Sequence, residues 1–126
     1  MTKMNNKTSN VLSKQKLPQG VKISVKASRA TKAEKIFILD LSRISSFTDF
    51  FVIMNGNSSR QNIALYENIE RELKKKKIRP LSIEGRENAE WILMDYGDFI
   101  IHVFSKKARE YYSLEKLWGD APKTSY

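Results

Sequence analysis

The stretch Trp91-Ile-Leu-Met-Asp-Tyr-Gly-Asp-Phe-Ile-Ile-His-Val-Phe-Ser105 sets two apolar runs on either side of a Gly97-Asp98 pair. Glycine at the first central position of a two-residue loop supplies the positive φ that hairpin turns need. Two antiparallel strands are therefore predicted, 91–96 and 99–104. The loop also fixes the register: Tyr96 faces Phe99, Met94 faces Ile101 and Ile92 faces Val103. Side chains alternate across a strand, so these pairs share one side of the sheet. That side is almost purely apolar and belongs to the core. The other side pairs Asp95 with Ile100, Leu93 with His102 and Trp91 with Phe104. A sheet with one wet face would carry plain polar residues there. A face that mixes Trp and Phe with Asp and His is either covered by a helix or is a docking surface.

The rest of the chain supplies what such a hairpin packs against. Its 126 residues suit one domain with a self-supporting core. Lys35 to Leu41 is continuously apolar in character and reads as a first strand, and Asp49 to Gly56 as a second. The short polar connection between them makes these two antiparallel neighbours. Asn57, Ser58 and Ser59 are competent N-caps for a helix running to about Lys77, with Ile63, Tyr66, Ile69 and Leu73 as its apolar stripe. Arg79-Pro80 ends it. Leu81 to Glu84 is a short third strand, closed by Gly85, and the helical crossover makes it parallel to the second. Before all this, Pro18 opens a short amphipathic helix to about Ala30 on Val21 and Val25, against the preference of Ser24, Ser28 and Thr31. After the hairpin, Lys106 to Tyr112 reads as a helical turn or two, and Tyr112 to Gly119 as a second short helix. The expected fold class is α+β, a mixed five-stranded sheet with flanking helices. It occupies residues 18–126, preceded by a basic, disordered tail over 1–17.

Charge and composition narrow the chemistry. The formal charge is +9, and residues 1–33 hold eight Lys or Arg with no acid. Residues 34–126 are nearly balanced, fifteen basic against fourteen acidic. A basic segment attracts polyanions whatever their sequence, or simply solubilises. The run Lys74 to Lys77 reads either as a nucleic-acid patch or as a solvated helix end that suits the helix dipole. There are no cysteines and one histidine, so no metal site is expected. The longest apolar run is Phe50 to Met54, far short of a membrane span. A soluble, cytoplasmic protein is expected, and the Arg-free start favours a bacterial over an organellar setting. Catalysis is poorly provided for: His102 lies inside an apolar strand, and no catalytic residue or cofactor is assigned. Asp95 and Asp98 could hold magnesium for nucleotidyl transfer, but Asp98 is explained by turn chemistry. Asn55 to Ser59 could cradle phosphate, yet lacks the P-loop spacing.

Several of these segments stand in the order and spacing of a known family. Asp49-Phe-Phe-Val-Ile, Ser59-Arg60-Gln61, Glu84-Gly85, Trp91-Ile-Leu-Met-Asp-Tyr-Gly-Asp98, His102-Val-Phe and Tyr112-x-Leu-Glu-Lys-Leu-Trp-Gly-Asp120 resemble the Iojap family of ribosomal silencing factors. The resemblance covers residues 33–122. It implies a nucleotidyltransferase-like fold without transferase activity. It also implies binding to the large ribosomal subunit, through a ribosomal protein of the L-fourteen type at the intersubunit face. Occupying that face would keep the small subunit away and lower translation, or assist subunit assembly. Carried over, the docking candidates are Trp91, Leu93, Asp95, His102, Tyr112, Leu114, Lys116 and Trp118. The first four of these lie on the mixed hairpin face read from the residues alone. The resemblance also allows a homodimer of the free protein. The basic start departs from the family's acid-bearing first helix and suggests contact of the tail with ribosomal RNA. The competing functions are a magnesium-dependent nucleotidyltransferase-like enzyme and a general RNA-binding module acting through the tail and Lys74 to Lys77.

Overall fold

A computed structural model describes residues 16–126. The expected tail over 1–17 therefore lies outside the described residues but for its last two, of which Leu17 is already buried in the core. Helix α1 spans Gln19–Ala30, strand β1 Glu34–Asp40 and strand β2 Phe50–Asn55. Helix α2, Ser59–Lys75, leads to β3, Ser82–Glu84, then to the hairpin of β4, Trp91–Asp95, and β5, Phe99–Phe104. Two short helices follow, α3 at Lys106–Tyr112 and α4 at Leu114–Leu117, and the chain ends in β6, Lys123–Ser125. The sheet runs β3-β4-β5-β2-β1-β6.

The hairpin has the register its turn dictates. Ile92 pairs with Val103, Leu93 with His102 and Met94 with Ile101. Gly97 takes φ +84, and its N–H donates to Asp95 Oδ1 at 2.8 Å, which ties the carboxylate into the turn. Strands β1 and β2 are antiparallel neighbours as expected. The crossover through α2 does bring β3 back in the direction of β2, but the hairpin strands separate the two. It is β5 that pairs with β2 in parallel. The sheet has six strands rather than five. The sixth, β6, joins the open edge of β1 by backbone bonds from Lys123 to Ser125.

One side of the sheet carries α1 and α2. Ile36, Ile38, Val52, Met54, Ile92, Met94, Ile101 and Val103 meet Val21, Val25, Leu65, Ile69 and Leu73 there in one buried cluster. The stripe of α2 is rotated slightly from the sequence reading. Leu65 and Asn62 lie at its buried centre, with Ile63 and Tyr66 at its margins. Asn62 is a polar core residue because its amide donates to the Ala89 carbonyl at 2.8 Å. Helix α1 forms despite its serines because their hydroxyls bond back to its own carbonyls. Ser24 donates to Gly20 O at 2.7 Å and Ser28 to Val25 O at 2.9 Å, which satisfies both inside the core. Gln61 then locks the two helices together. Its side-chain amide donates to the carbonyls of Thr31 and Lys32, and its carbonyl oxygen accepts from the Asn57 N–H.

The other side of the sheet buries Leu39, Leu41, Phe51, Ile53, Ile100 and Phe104 against Ala108, Leu114 and Ala121. Among the described residues, α3, α4, the C-terminal connection and Phe47 of the β1–β2 loop cover it. Among the described residues no helix is long and apolar enough to cross a membrane.

Candidate functional site: an aromatic face beside two short helices

The mixed face of the hairpin is partly covered and partly open. Trp91, Leu93 and Trp118 are half-buried against the second cluster. Their rings join others into a continuous band. Trp91 lies 4.5 Å from Tyr112 and 5.0 Å from Phe104, centroid to centroid, and Tyr112 meets Tyr111 edge-on at 5.0 Å. In the other direction His102 meets Phe51 edge-on at 4.4 Å. Phe51 lies 6.0 Å from Phe47 and 6.2 Å from Trp118. The band thus crosses the sheet from α3 to the loop between β1 and β2. Large apolar side chains stand out of it into solvent: Tyr111 is 80% exposed, Leu117 71% and Phe47 57%. Aromatic side chains fixed in place and reaching solvent are the usual anchors of protein interfaces.

His102 lies underneath, only 3% exposed. The indole N–H of Trp91 donates to His102 Nδ1 at 3.0 Å. An indole nitrogen can only donate, so Nδ1 is unprotonated and the ring's proton sits on Nε2. Burial lowers the His102 pKa to about 3, so the ring is neutral and the acceptor is present throughout the ordinary pH range. The histidine read as a docking candidate therefore sets the angle of Trp91 from below rather than offering its own surface. Leu114 is likewise buried, and holds α4 to the sheet. Asp95 stands at the far end of β4 from Trp91, with one carboxylate oxygen engaged by the turn. Lys116 is exposed on α4, beside a cleft also lined by Lys35, Lys106, Arg109 and Glu110.

The short helices would be marginal alone, since seven and four residues cannot sustain a helix in water. A buried ion pair fixes them. Arg109 Nε donates to Glu115 Oε1 at 2.7 Å across the α3–α4 corner, where Ser113 takes the left-handed φ +47. The same guanidinium donates to Asn55 Oδ1 at 3.1 Å and to the Lys35 carbonyl, which ties the corner to the ends of β1 and β2. Tyr112 is thereby held against Trp91, and Trp118 against Phe51. Gly85 does a comparable service for β4. It takes φ +84, and a Cβ there would lie 1.9 Å from the Trp91 carbonyl oxygen.

Sequence reasoning does not single out Phe47, Phe51, Leu117 or Arg109 for this site. A lone Phe47 in an otherwise polar connection was the available signal for the first. For Arg109 there was none, because its partners lie 6, 54 and 74 residues away in sequence. Among the described residues no three carboxylate or imidazole groups are placed to hold a metal ion. The Asn55 to Ser59 loop spends its groups on the helix start: Ser58 Oγ accepts from the Gln61 N–H at 3.1 Å.

Comparison with known proteins agrees with the resemblance read from the sequence. The profile of the family described as "Ribosomal silencing factor during starvation" matches residues 14–126. The chain is 42% identical over 102 residues to "Ribosomal silencing factor RsfS" of Halalkalibacterium halodurans, a match covering 81% of this chain and 87% of that one. It is 43% identical over 102 residues to the protein of the same name in Bacillus subtilis, covering 81% and 86%. "Mitochondrial assembly of ribosomal large subunit protein 1" of Mus musculus is 33% identical over 93 residues, covering 71% of this chain and 41% of the mouse protein. A crystal structure of a protein from Chromobacterium violaceum superimposes with a TM-score of 0.78 at 32% identity, covering 86% of this chain and 88% of that one. The chain belongs to the RsfS family of ribosomal silencing factors.

Proposed function

We propose that this protein binds the large ribosomal subunit at its intersubunit face and keeps the small subunit from joining, which lowers translation. The observation that carries this reading is the aromatic band, with Trp91 pinned from below by His102 and its outer members open to solvent. A folded domain of 14.6 kDa seated on a flat joining surface acts by occupancy, and needs no chemistry of its own. The names of the bacterial relatives and of the mouse relative support a ribosomal, large-subunit partner. The direct partner is a ribosomal protein of the L-fourteen type, met by Trp91, Leu93, Tyr112, Lys116 and Trp118. His102 and Leu114 support them from within, and Asp95 orders the nearby turn. The same apolar face is the surface available for pairing of two free copies.

The test is a gradient of isolated large and small subunits mixed with the purified protein, followed by subunit joining at raised magnesium. The protein should travel with the large subunit alone and reduce the yield of joined ribosomes in proportion to its occupancy. Unchanged joining at full occupancy of the large subunit would refute the exclusion step. Sedimentation with neither subunit would refute the reading as a whole.

A further inference from the structure

The helical side of the molecule carries a charge pattern that the docking face does not use. Within residues 16–33 there are five basic side chains and no acid. Residues 70–79 hold six basic side chains against Glu70 and Glu72. The remaining described residues hold nine basic and twelve acidic ones, so outside these two segments the domain is slightly acidic. The two segments are separated by 36 residues in the chain, and the fold brings them together. Helices α1 and α2 pack side by side, joined by the Asn68 amide, which donates to Ala27 O at 3.2 Å and to Thr31 Oγ1 at 2.9 Å.

The basic residues lie on the outside of this pair. Lys22, Lys26 and Arg29 follow one another at spacings of four and three, one exposed stripe along α1. Arg71 and Lys74 to Lys77 are exposed at the C-terminal end of α2. A groove of about 350 Å³ runs between the helices with Lys26 on one wall and Lys75 and Lys76 on the other. A second groove, of about 390 Å³, shares Lys26 and is lined also by Lys22, Arg29 and Tyr126. The one carboxylate in the first groove, Glu72, is bridged by Lys75 at 2.8 Å and held below its usual pKa chiefly by that bond. Lys26 also acts on Glu72 through space, so three lysines of the groove face a single carboxylate.

From this juxtaposition we infer that the α1–α2 face is a second binding surface, for the phosphate backbone of RNA. Lysine ammonium groups along two grooves that meet at Lys26 match a chain of phosphates, and the gain comes from release of condensed counterions. The groove offers few fixed hydrogen-bonding groups to read bases, so recognition is by charge and tolerant of sequence. An acidic protein partner fits less well, because Arg29 and Arg71 stand exposed rather than seated in the desolvated pockets that anchor specific protein interfaces. The surface lies on the opposite side of the sheet from the aromatic band, so both could be occupied at once. This inference does not depend on the docking reading.

The experiment is fluorescence anisotropy of a labelled 20-nucleotide RNA hairpin titrated with the full chain at several salt concentrations. Three proteins are compared: wild type, Lys26→Glu/Lys75→Glu/Lys76→Glu, and a control of equal net charge, Arg43→Glu/Arg86→Glu/Lys107→Glu. All six positions are exposed, and thermal melts followed by circular dichroism check that each variant stays folded. The groove variant should bind at least tenfold more weakly than wild type at about 100 mM salt, with a salt slope flatter by roughly two to three, while the control keeps most of the affinity. Equal losses in both variants would show an effect of net charge alone and overturn the site. Wild-type affinity in the groove variant would assign any RNA binding to the basic N-terminal segment and overturn it as well. Absence of RNA binding by wild type would do the same. Sedimentation of the groove variant with the large subunit reports on the aromatic face separately.

Discussion

Over one side of the sheet lie two full helices of 12 and 17 residues, and over the other lie two of 7 and 4. The strands supply apolar residues to both sides in equal alternation. On the α1–α2 side every inward residue of β4 and β5 is sealed, including Ile92, Met94, Ile101 and Val103. On the other side Phe104 and His102 are sealed, but Trp91, Leu93 and Trp118 are left at the margin and Tyr111, Leu117 and Phe47 beyond it. The difference teaches that burial depth divides labour within one sheet. The sealed side holds the fold together and presents charge outward. The half-covered side leaves large apolar side chains exposed among the described residues.

Substitutions that act on one side alone sharpen this contrast. The largest effect is expected at the centre of the sealed side. Leu65→Ala should lose about 3–4 kcal/mol of stability to urea, since neighbouring helix and sheet cannot collapse into the void. A loss below about 1 kcal/mol would mean that this side is not the main source of stability. Next comes the pair that fixes the short helices. Glu115→Gln leaves the Arg109 guanidinium buried without a counter-charge, and about 2 kcal/mol should be lost. Hydrogen exchange should quicken in α3 and α4 while α1 and α2 keep their protection. Uniform acceleration across the domain would show that the two sides are not separable.

A smaller effect follows from His102. Its pKa is near 3 in the folded protein and about 6.5 when unfolded. Below 6.5 the unfolded chain takes up a proton that the folded one refuses, so stability falls as pH falls through that window. Above it there is no contribution. The loss from this group should be about 1.4 kcal/mol between pH 7.5 and pH 5.5. His102→Phe should remove that pH dependence, and should also weaken large-subunit binding several-fold by freeing the Trp91 indole. If the variant keeps the same slope, the histidine is not the neutral acceptor described. The smallest effect is expected at the outer edge of the band. Tyr111→Ser should change stability by less than about 0.5 kcal/mol, because the ring is already in water. A large loss would place Tyr111 in the core.

How far the sequence could be read depended on which physical signal each element carries. The hairpin was legible to the residue, because Gly97 permits one tight turn and the turn fixes every cross-strand pair. Strand β6 was not, because Lys123, Thr124 and Ser125 join β1 by backbone pairing and show no apolar alternation. The stripe of α2 is legible in Ile69 and Leu73 but not in its first half, because Asn62 looks like a surface residue until Ala89 is folded against it. The character of the mixed face was legible in Trp91 and His102, but their relation was not. Only the pairing of β4 with β5, with α3 close by, shows that one supports the other. The basic side was legible as two charge runs, and their merging into one surface required the packing of α1 on α2.

Trp91 is the central anchor of the proposed docking face. Its test is the affinity of Trp91→Ala for isolated large subunits, measured beside wild type and with folding confirmed at the same temperature. The variant should bind at least 30-fold more weakly, equivalent to about 2 kcal/mol, while remaining folded. A folded variant that binds the large subunit as wild type does would contradict the assignment of the aromatic face as the docking surface.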